Sequence, residues 1–376
     1  MRLRNVLKAG TAAATVALVG ALLVGISHSA GAATAAAASP KLTKADILKT
    51  MKLVDDYWVK NGTNLAPPTW QNSTFHVGNL AFVTAGGVSN HVTHPWAQKN
   101  KYQLMSDPKK GQFFPDFEAV GEVYLDLLAF HQDPGQLTAL RNRINAEVAS
   151  VDAGHVDYWN YVDALNMAMP SFARLGLLDS KDADLATMQT LFNYTEKVAG
   201  GHGLFSESAG LWWRDSKYVN TTTFWSRGNG WAMMALAKVL NVLPANDPRR
   251  AEYLRVYLKM ASTLKGIQRS DGFWNPDLGD PKDFPGPETS GTAFFTFAMA
   301  WGINAGILPK ATYRPVVEKA WQGMVTKSVR SNGLLGRVQL VAQRPSDHQP
   351  IKSTDTAAYG VGGFLLAGSQ LVTLES

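Results

Sequence analysis

Asp163 is the residue whose neighbours best suit acid chemistry. It lies in YWNYVDALNMAMPSFARLG (Tyr158 to Gly176), where Tyr158, Trp159 and Tyr161 precede it closely. Rings of this kind stack on sugars and lower the local polarity. A carboxyl among them has its charged form disfavoured, and the raised pKa that results is what a general acid near neutrality needs. The same position equally suits a helix-opening aspartate that complements the helix dipole. Asp116, in FFPDFEAVGEVYLDL (Phe113 to Leu127), is the second carboxylate; it follows Pro115 at the start of a periodic segment, so an ordinary first-turn role competes with a catalytic one. Glu118 and Glu122 follow at helical spacing and read as that segment's solvated face.

The segment GLFSESAGLWWRDSKYVNTTTFWSRGNGW (Gly203 to Trp231) concentrates Trp212, Trp213, Trp225 and Trp231 with Arg214 and Arg227 before a Gly-containing helix start. Indole faces bind the apolar faces of pyranose rings, and an arginine fork pairs with a carboxylate, so together they describe a site for an acidic sugar. Trp212, Arg214, Trp225, Arg227 and Trp231, with Tyr161, are the predicted substrate-binding residues. A structural cluster with arginine stacked on tryptophan is the competing account. Further on, DGFWNPDLGDPKDFPGPETSGTA (Asp271 to Ala293) runs as a loop into a helix. Thr289, Ser290 and Thr292 there put hydroxyls and free N–H groups at a helix start, an anion site suited to a uronate or an ordinary cap. No GKS or GKT follows the GNG run, which excludes a nucleotide loop. His91 and His94 lack a third ligand at convincing spacing, and Ser206, Ser208 and His202 form no triad pattern, so neither a metal nor a cofactor is predicted.

These residues must be held by a large, self-sufficient core. The chain has 376 residues, 45% of them hydrophobic and 18% charged, with 11 tryptophans and no cysteine. Disulfide scaffolds, thiolate metal sites and cysteine nucleophiles are therefore excluded together. The formal charge is +6, without the basic stripe that nucleic-acid binding requires. Three of those charges are Arg2, Arg4 and Lys8, which head the apolar run Thr11 to Ile26 and the small-residue site Ala30-Gly31-Ala32. Residues 1–32 thus read as a secretory signal, 33–40 as a linker and 41–376 as one catalytic domain, exported from a bacterial cell and free of the membrane once the signal is removed. The rest is a succession of helical periods, near 44–61, 74–86, 95–105, 115–132, 136–150, 158–176, 181–199, 228–243, 248–269, 288–306, 310–328 and 355–372. In the clearest, Leu254, Tyr257, Leu258, Ala261 and Leu264 form one stripe. Twelve helices in one domain suit an all-α toroid of six hairpins, an (α/α)6 barrel; a solenoid or irregular bundle are the alternatives. Long Gly-, Pro- and Trp-rich loops at 200–227 and 270–288 favour the toroid, because ordered loops of that length build sites.

Four motifs in order carry a family resemblance: LWWRD (Leu211 to Asp215), FWSRGNGW (Phe224 to Trp231), DFPGPETSGTAFFTFAMAWGINAGIL (Asp283 to Leu308) and YGVGGFLLAGS (Tyr359 to Ser369). The chain resembles the unsaturated rhamnogalacturonyl hydrolases of glycoside hydrolase family 105, related to the family 88 unsaturated glucuronyl hydrolases. The resemblance implies a six-hairpin barrel that removes a 4,5-unsaturated uronic acid from the non-reducing end of pectin- or rhamnogalacturonan-type lyase products. It further implies that Asp163 protonates C4 and assists water addition at C5, with Trp225, Arg227 and Trp231 holding the unsaturated sugar. The partner expected is an oligosaccharide, and the protein a monomer or homodimer. Three departures stand out: Asp116-Phe117 where many relatives have two aspartates, Tyr161 where Trp is common, and Ser206-Glu207 near a position that is histidine in some relatives. A conventional inverting glycosidase using Asp163 and Asp116, and a non-catalytic carbohydrate-binding protein, remain the alternatives.

Overall fold

The computed structural model describes residues 42–89, 91–105 and 112–376. The signal, the linker and the start of the domain at 41 lie outside the described residues. Within them are twelve α-helices: α1 Lys44–Asn61, α2 Trp70–Thr84, α3 Thr93–Lys99, α4 Val120–Leu127, α5 Thr138–Asp152, α6 Ala164–Leu178, α7 Asp182–Lys197, α8 Ser226–Val242, α9 Arg250–Ile267, α10 Thr289–Asn304, α11 Lys310–Lys327 and α12 Ala358–Leu374. Every predicted helical period has its helix. The even-numbered helices are neighbours in a cycle: α2 packs on α4, α4 on α6, and so on through α8 and α10 to α12, which packs on α2. That adjacency is the inner ring of the predicted toroid. Outside it, α7, α9 and α11 each lie on the inner helix before them, and α1 lies on α12 and α2.

Burial separates the two rings. In α10 every residue from Thr289 to Ile303 is buried, as expected of a helix with neighbours on all sides. In α9 only one face is buried, and it is Tyr253, Val256, Tyr257, Met260, Ala261 and Leu264; Leu258, placed on the core stripe by its spacing, is exposed. Val256, Met260 and Leu264, so buried, each contribute about 1.5–3 kcal/mol.

The differences from the predicted boundaries fall where the site lies. The period at 115–132 is broken into a 3-10 turn, Pro115–Phe117, and α4, so Asp116 stands on a tight turn before the helix. Glu118 and Glu122 are buried rather than solvated, Glu122 accepting from Lys238 Nζ at 2.9 Å. α6 begins at Ala164, six residues later than its period suggested. The preceding Tyr161 is instead extended, pairing antiparallel with Asp215. The loop at 200–227 contains a two-residue hairpin, β1 Phe205–Ser206 with β2 Leu211–Trp212.

Candidate active site

The N-terminal ends of α2, α6 and α8 and the turn before α4 converge on one cavity of about 490 Å³. Trp70 stands at the first position of α2, Asp116 on the turn before α4, Asp163 at the cap of α6, and Trp225 and Arg227 at the start of α8. All five line the cavity, as do Tyr161, Arg214 and Trp231. Seven of the predicted residues are thus brought together from sequence positions 116 to 231.

Asp163 is placed by strand-like pairing. Val162 N–H donates to the Arg214 carbonyl at 2.8 Å, next to the Tyr161–Asp215 bridge, so residues 161–163 and 213–215 run side by side. Arg214 Nε then lies 3.4 Å from Asp163 Oδ2, while Arg214 Nη1 bonds Asp215 Oδ2 at 2.7 Å. The Arg214 guanidinium also stacks 5.1 Å from the centre of the Tyr161 ring. Burial pushes the Asp163 carboxyl above the usual carboxylate range, and the positive charges of Arg214 and Arg227 pull the other way.

Asp116 accepts a hydrogen bond of 2.8 Å from the Tyr161 hydroxyl. Burial lifts its pKa to about 6; the Tyr161 bond opposes that rise, and the neighbouring Asp163 charge adds to it. The two carboxyls are therefore tied through Tyr161 and the Arg214 charge, and both are shifted toward the range of a working acid or base.

Arg227 is almost wholly buried, 1% exposed, sandwiched 4.5 Å from Trp225 and 4.8 Å from Tyr359. It donates to the carbonyls of Gln339 and Leu340 at 2.5 and 3.0 Å, and among the described residues no carboxylate pairs with it. Its charge at the cavity wall is left for an anion. Trp231 packs on Phe294 and meets Trp70 edge-on.

Four predicted residues are elsewhere. Trp212 is fully buried, its ring against Phe192 and Phe205 and its indole N–H on the Met260 sulfur; β-pairing turns it inward. Thr289, Ser290 and Thr292 are also fully buried. Thr289 Oγ1 bonds the Ser328 hydroxyl and the Gly336 carbonyl, and Thr292 Oγ1 accepts from Trp274 N–H. The start of α10 cannot take an external anion, because the Glu288 carboxylate already accepts from Ser290 N, Ser290 Oγ and Gly291 N at 2.6–2.9 Å. Glu207 pairs with Arg255 and Lys259 on α9, away from the cavity, and Phe117 is buried against Phe114.

Sequence reasoning missed one wall. Residues 341–344 and Asp347 line the cavity, together with Phe114, Lys217 and Tyr218. Their loop is pinned by Gln339, whose amide donates to the carbonyls of Arg344, Pro345 and Asp347 and accepts from the Trp225 indole at 2.9 Å. No periodicity marks that segment. Trp70 had a readable signal in Pro67-Pro68-Thr69, whose Thr69 side chain caps α2.

A helical toroid with two largely buried carboxyls, several tryptophans and a buried arginine that no carboxylate pairs with at one end of its inner ring offers ring faces and charge of the kind that bind acidic sugars. The chain belongs to Glycosyl Hydrolase Family 88, whose family model matches residues 47–375. It is 37% identical over 220 residues to an unsaturated 3S-rhamnoglycuronyl hydrolase of Alteromonas sp. (strain LOR), covering 57% of this chain and 51% of that protein. A protein of the same name from Formosa agariphila is 32% identical over 230 residues, covering 59% of this chain and 60% of that one. The chain therefore matches little more than half the length of these curated relatives. Among solved structures, a polysaccharide lyase has a TM-score of 0.81 at 30% identity, covering 89% of this chain and 98% of that one. A glycosyl hydrolase family 88 protein from Bacteroides vulgatus has a TM-score of 0.80 at 29% identity, covering 88% and 99%. A possible family 105 member from Salmonella enterica, at 17% identity, TM-score 0.73 and 88% and 94% coverage, shares the fold.

Proposed function

We propose that this protein is a hydrolase that removes a 4,5-unsaturated uronic acid from the non-reducing end of lyase-generated oligosaccharides, with rhamnose as the adjoining sugar. The observation that carries the reading is Asp163, a buried carboxyl of raised pKa on the wall of a sugar-sized cavity that also holds the unpaired charge of Arg227. The curated relatives, by name rhamnoglycuronyl hydrolases, support the substrate class. Arg227 faces the uronate carboxylate, Trp225 and Trp231 hold the ring, and Asp163 delivers its proton to C4. Water adds at C5, the resulting hemiketal opens, and the hemiacetal left at C1 expels the remaining sugar as an alcohol. One carboxyl acts as acid and then as base, so no covalent nucleophile is needed. Asp116, hydrogen-bonded to Tyr161, completes the catalytic pair.

The test is the ultraviolet absorbance of the conjugated double bond. The protein abolishes it in rhamnose-containing lyase digests, and Asp163→Asn does not. Absorbance that persists across rhamnogalacturonan, pectin, arabinogalactan and ulvan digests would sink the reading, and absorbance that appears in undigested polymer would mark the lyase chemistry named for one structural neighbour. Export directed by residues 1–32 is part of the same proposal; N-terminal sequencing of protein recovered from culture medium should begin beyond Ala32.

A further inference from the structure

We propose that Asp215 is a positioning residue that holds the Arg214 guanidinium away from Asp163, so that Asp163 keeps the proton it delivers. The inference rests on the reaction proposed above. Arg214 brings one positive charge and stands between two carboxyls. Its Nη1–H donates to Asp215 Oδ2 at 2.7 Å, the length of a charge-assisted bond, whereas its Nε is 3.4 Å from Asp163 Oδ2, beyond that length. The arginine therefore favours Asp215. If it closed on Asp163 as a two-pronged pair, the carboxylate form would be favoured, and an aspartate so paired has its pKa lowered by about 1–3 units. Such a group makes a poor acid near neutrality.

Asp215 is itself held in place for this task. Its backbone pairs antiparallel with Tyr161, two residues before Asp163, and its Oδ1 accepts the Lys217 N–H at 3.0 Å. Both carboxylate oxygens are thus engaged. The arginine is fixed from the other side, its guanidinium 5.1 Å from the centre of the Tyr161 ring and its carbonyl accepting from Val162 at 2.8 Å. That engagement also corrects the expectation that the Arg214 fork binds the substrate's carboxylate, because Asp215 already takes one prong of it.

The groups that face Asp163 come from several elements. Asp116 lies on the turn before α4, Tyr161 on the stretch leading to α6, Arg214 and Asp215 on the stretch after β2, and Arg227 on α8. At the cavity mouth Arg344 is paired with Asp347, and Lys217 and Tyr218 lie beside them. Burial raises the Asp163 pKa most, Arg214 and Arg227 lower it, and the Asp215 charge raises it again. Asp215 therefore offsets the arginine that would otherwise strip the acid of its proton. Once that proton has passed to C4, Arg214 is still near enough to steady the carboxylate left behind. One arginine, shared unequally, serves both states.

Asp215→Asn, Arg214→Gln and the double variant form a charge cycle that reads this balance. In Asp215→Asn the arginine should turn to Asp163 and move the alkaline limb of the kcat profile down by about one pH unit. Above that limb activity should fall about tenfold, while kcat on the acid side and KM each stay within about threefold. Arg214→Gln should move the limb up, and the double variant should return it to within about half a unit of wild type, since neither charge is left. A limb that stays put in Asp215→Asn, a loss equal at every pH, or a loss that tracks a lowered melting temperature overturns the proposal. So does a crystal structure of Asp215→Asn whose guanidinium remains beyond hydrogen-bonding distance of Asp163. Carboxyl NMR of aspartate-labelled protein reads the same midpoint without turnover, the Asp163 signal being the one missing from Asp163→Asn. A midpoint that moves in a protein that spares the double bond keeps the role of Asp215 and sinks the proposed function alone. One that stays put in an active hydrolase does the reverse.

Discussion

Asp163 and Asp116 are both raised by burial but differ in what opposes the rise. At Asp163 the opposing force is the charge of two arginines, and at Asp116 it is a hydroxyl bond from Tyr161. Replacing Asp163 by Asn should cost at least a hundredfold in kcat, within the range general acid–base catalysis supplies, as read from the decay of the double-bond absorbance. For Asp116 the sign follows from its folded pKa of about 6 against an ordinary 3.8. The fold prefers the protonated form, so stability from this group is complete below about pH 4 and is lost as pH rises through 6. Melting curves should show wild-type protein losing more stability than Asp116→Asn between pH 4 and pH 7, by up to about 3 kcal/mol. Residue chemistry of this kind was legible at Asp163, Trp225 and Arg227, where rings, charge and a helix start coincide in a short stretch. It misled at Trp212, because the hairpin turns that ring onto Phe192 and Phe205 in the core, and which side of a strand meets the core is decided by what packs there.

At the scale of elements, the cavity depends on a joint between α10 and the loop that follows α11. Glu288 caps α10 and also accepts the Gln339 N–H at 3.1 Å, while Gln339 Oε1 anchors Trp225 and the Gln339 carbonyl receives both Arg227 and the Tyr359 hydroxyl. Gln339→Ala would free the loop at 341–347 and one side of Arg227. KM should rise about tenfold, equivalent to one charge-assisted bond, with a smaller change in kcat. Glu288→Ala removes a cap and strands buried donors together, and should lower stability by about 2–3 kcal/mol in chemical denaturation. Helix existence was readable from periodicity throughout. The start of α6 was not, because Tyr158 to Val162 continue an apolar pattern while their backbone is claimed by residues 213–215, a partner some fifty positions away.

The whole molecule depends on closing the ring where its last inner helix meets its first. A Cβ at Gly78 of α2 would lie 2.4 Å from the Gly362 carbonyl oxygen of α12, and one at Gly362 would lie 2.0 Å from the Thr74 oxygen. The backbones touch, and no side chain can yield to relieve the overlap. Gly362→Ala should therefore destabilise the protein by about 3 kcal/mol, at the upper end of the usual overpacking cost, with a lowered melting temperature as the measure. The sequence by itself determined the number of helices, their hydrophobic spacing and the glycines that let two of them meet, since these depend on periods and residue sizes within short windows. It also carried Asp163 and Arg227, which the structure places around one cavity. Only the tertiary structure decided that the starts of α2, α6 and α8 and the turn before α4 share one cavity, that Glu288 fills the anion site at α10, and that Arg214 lies between Asp163 and Asp215. Those are relations between residues far apart in the chain, set by which backbone groups and charges the closed ring leaves next to one another.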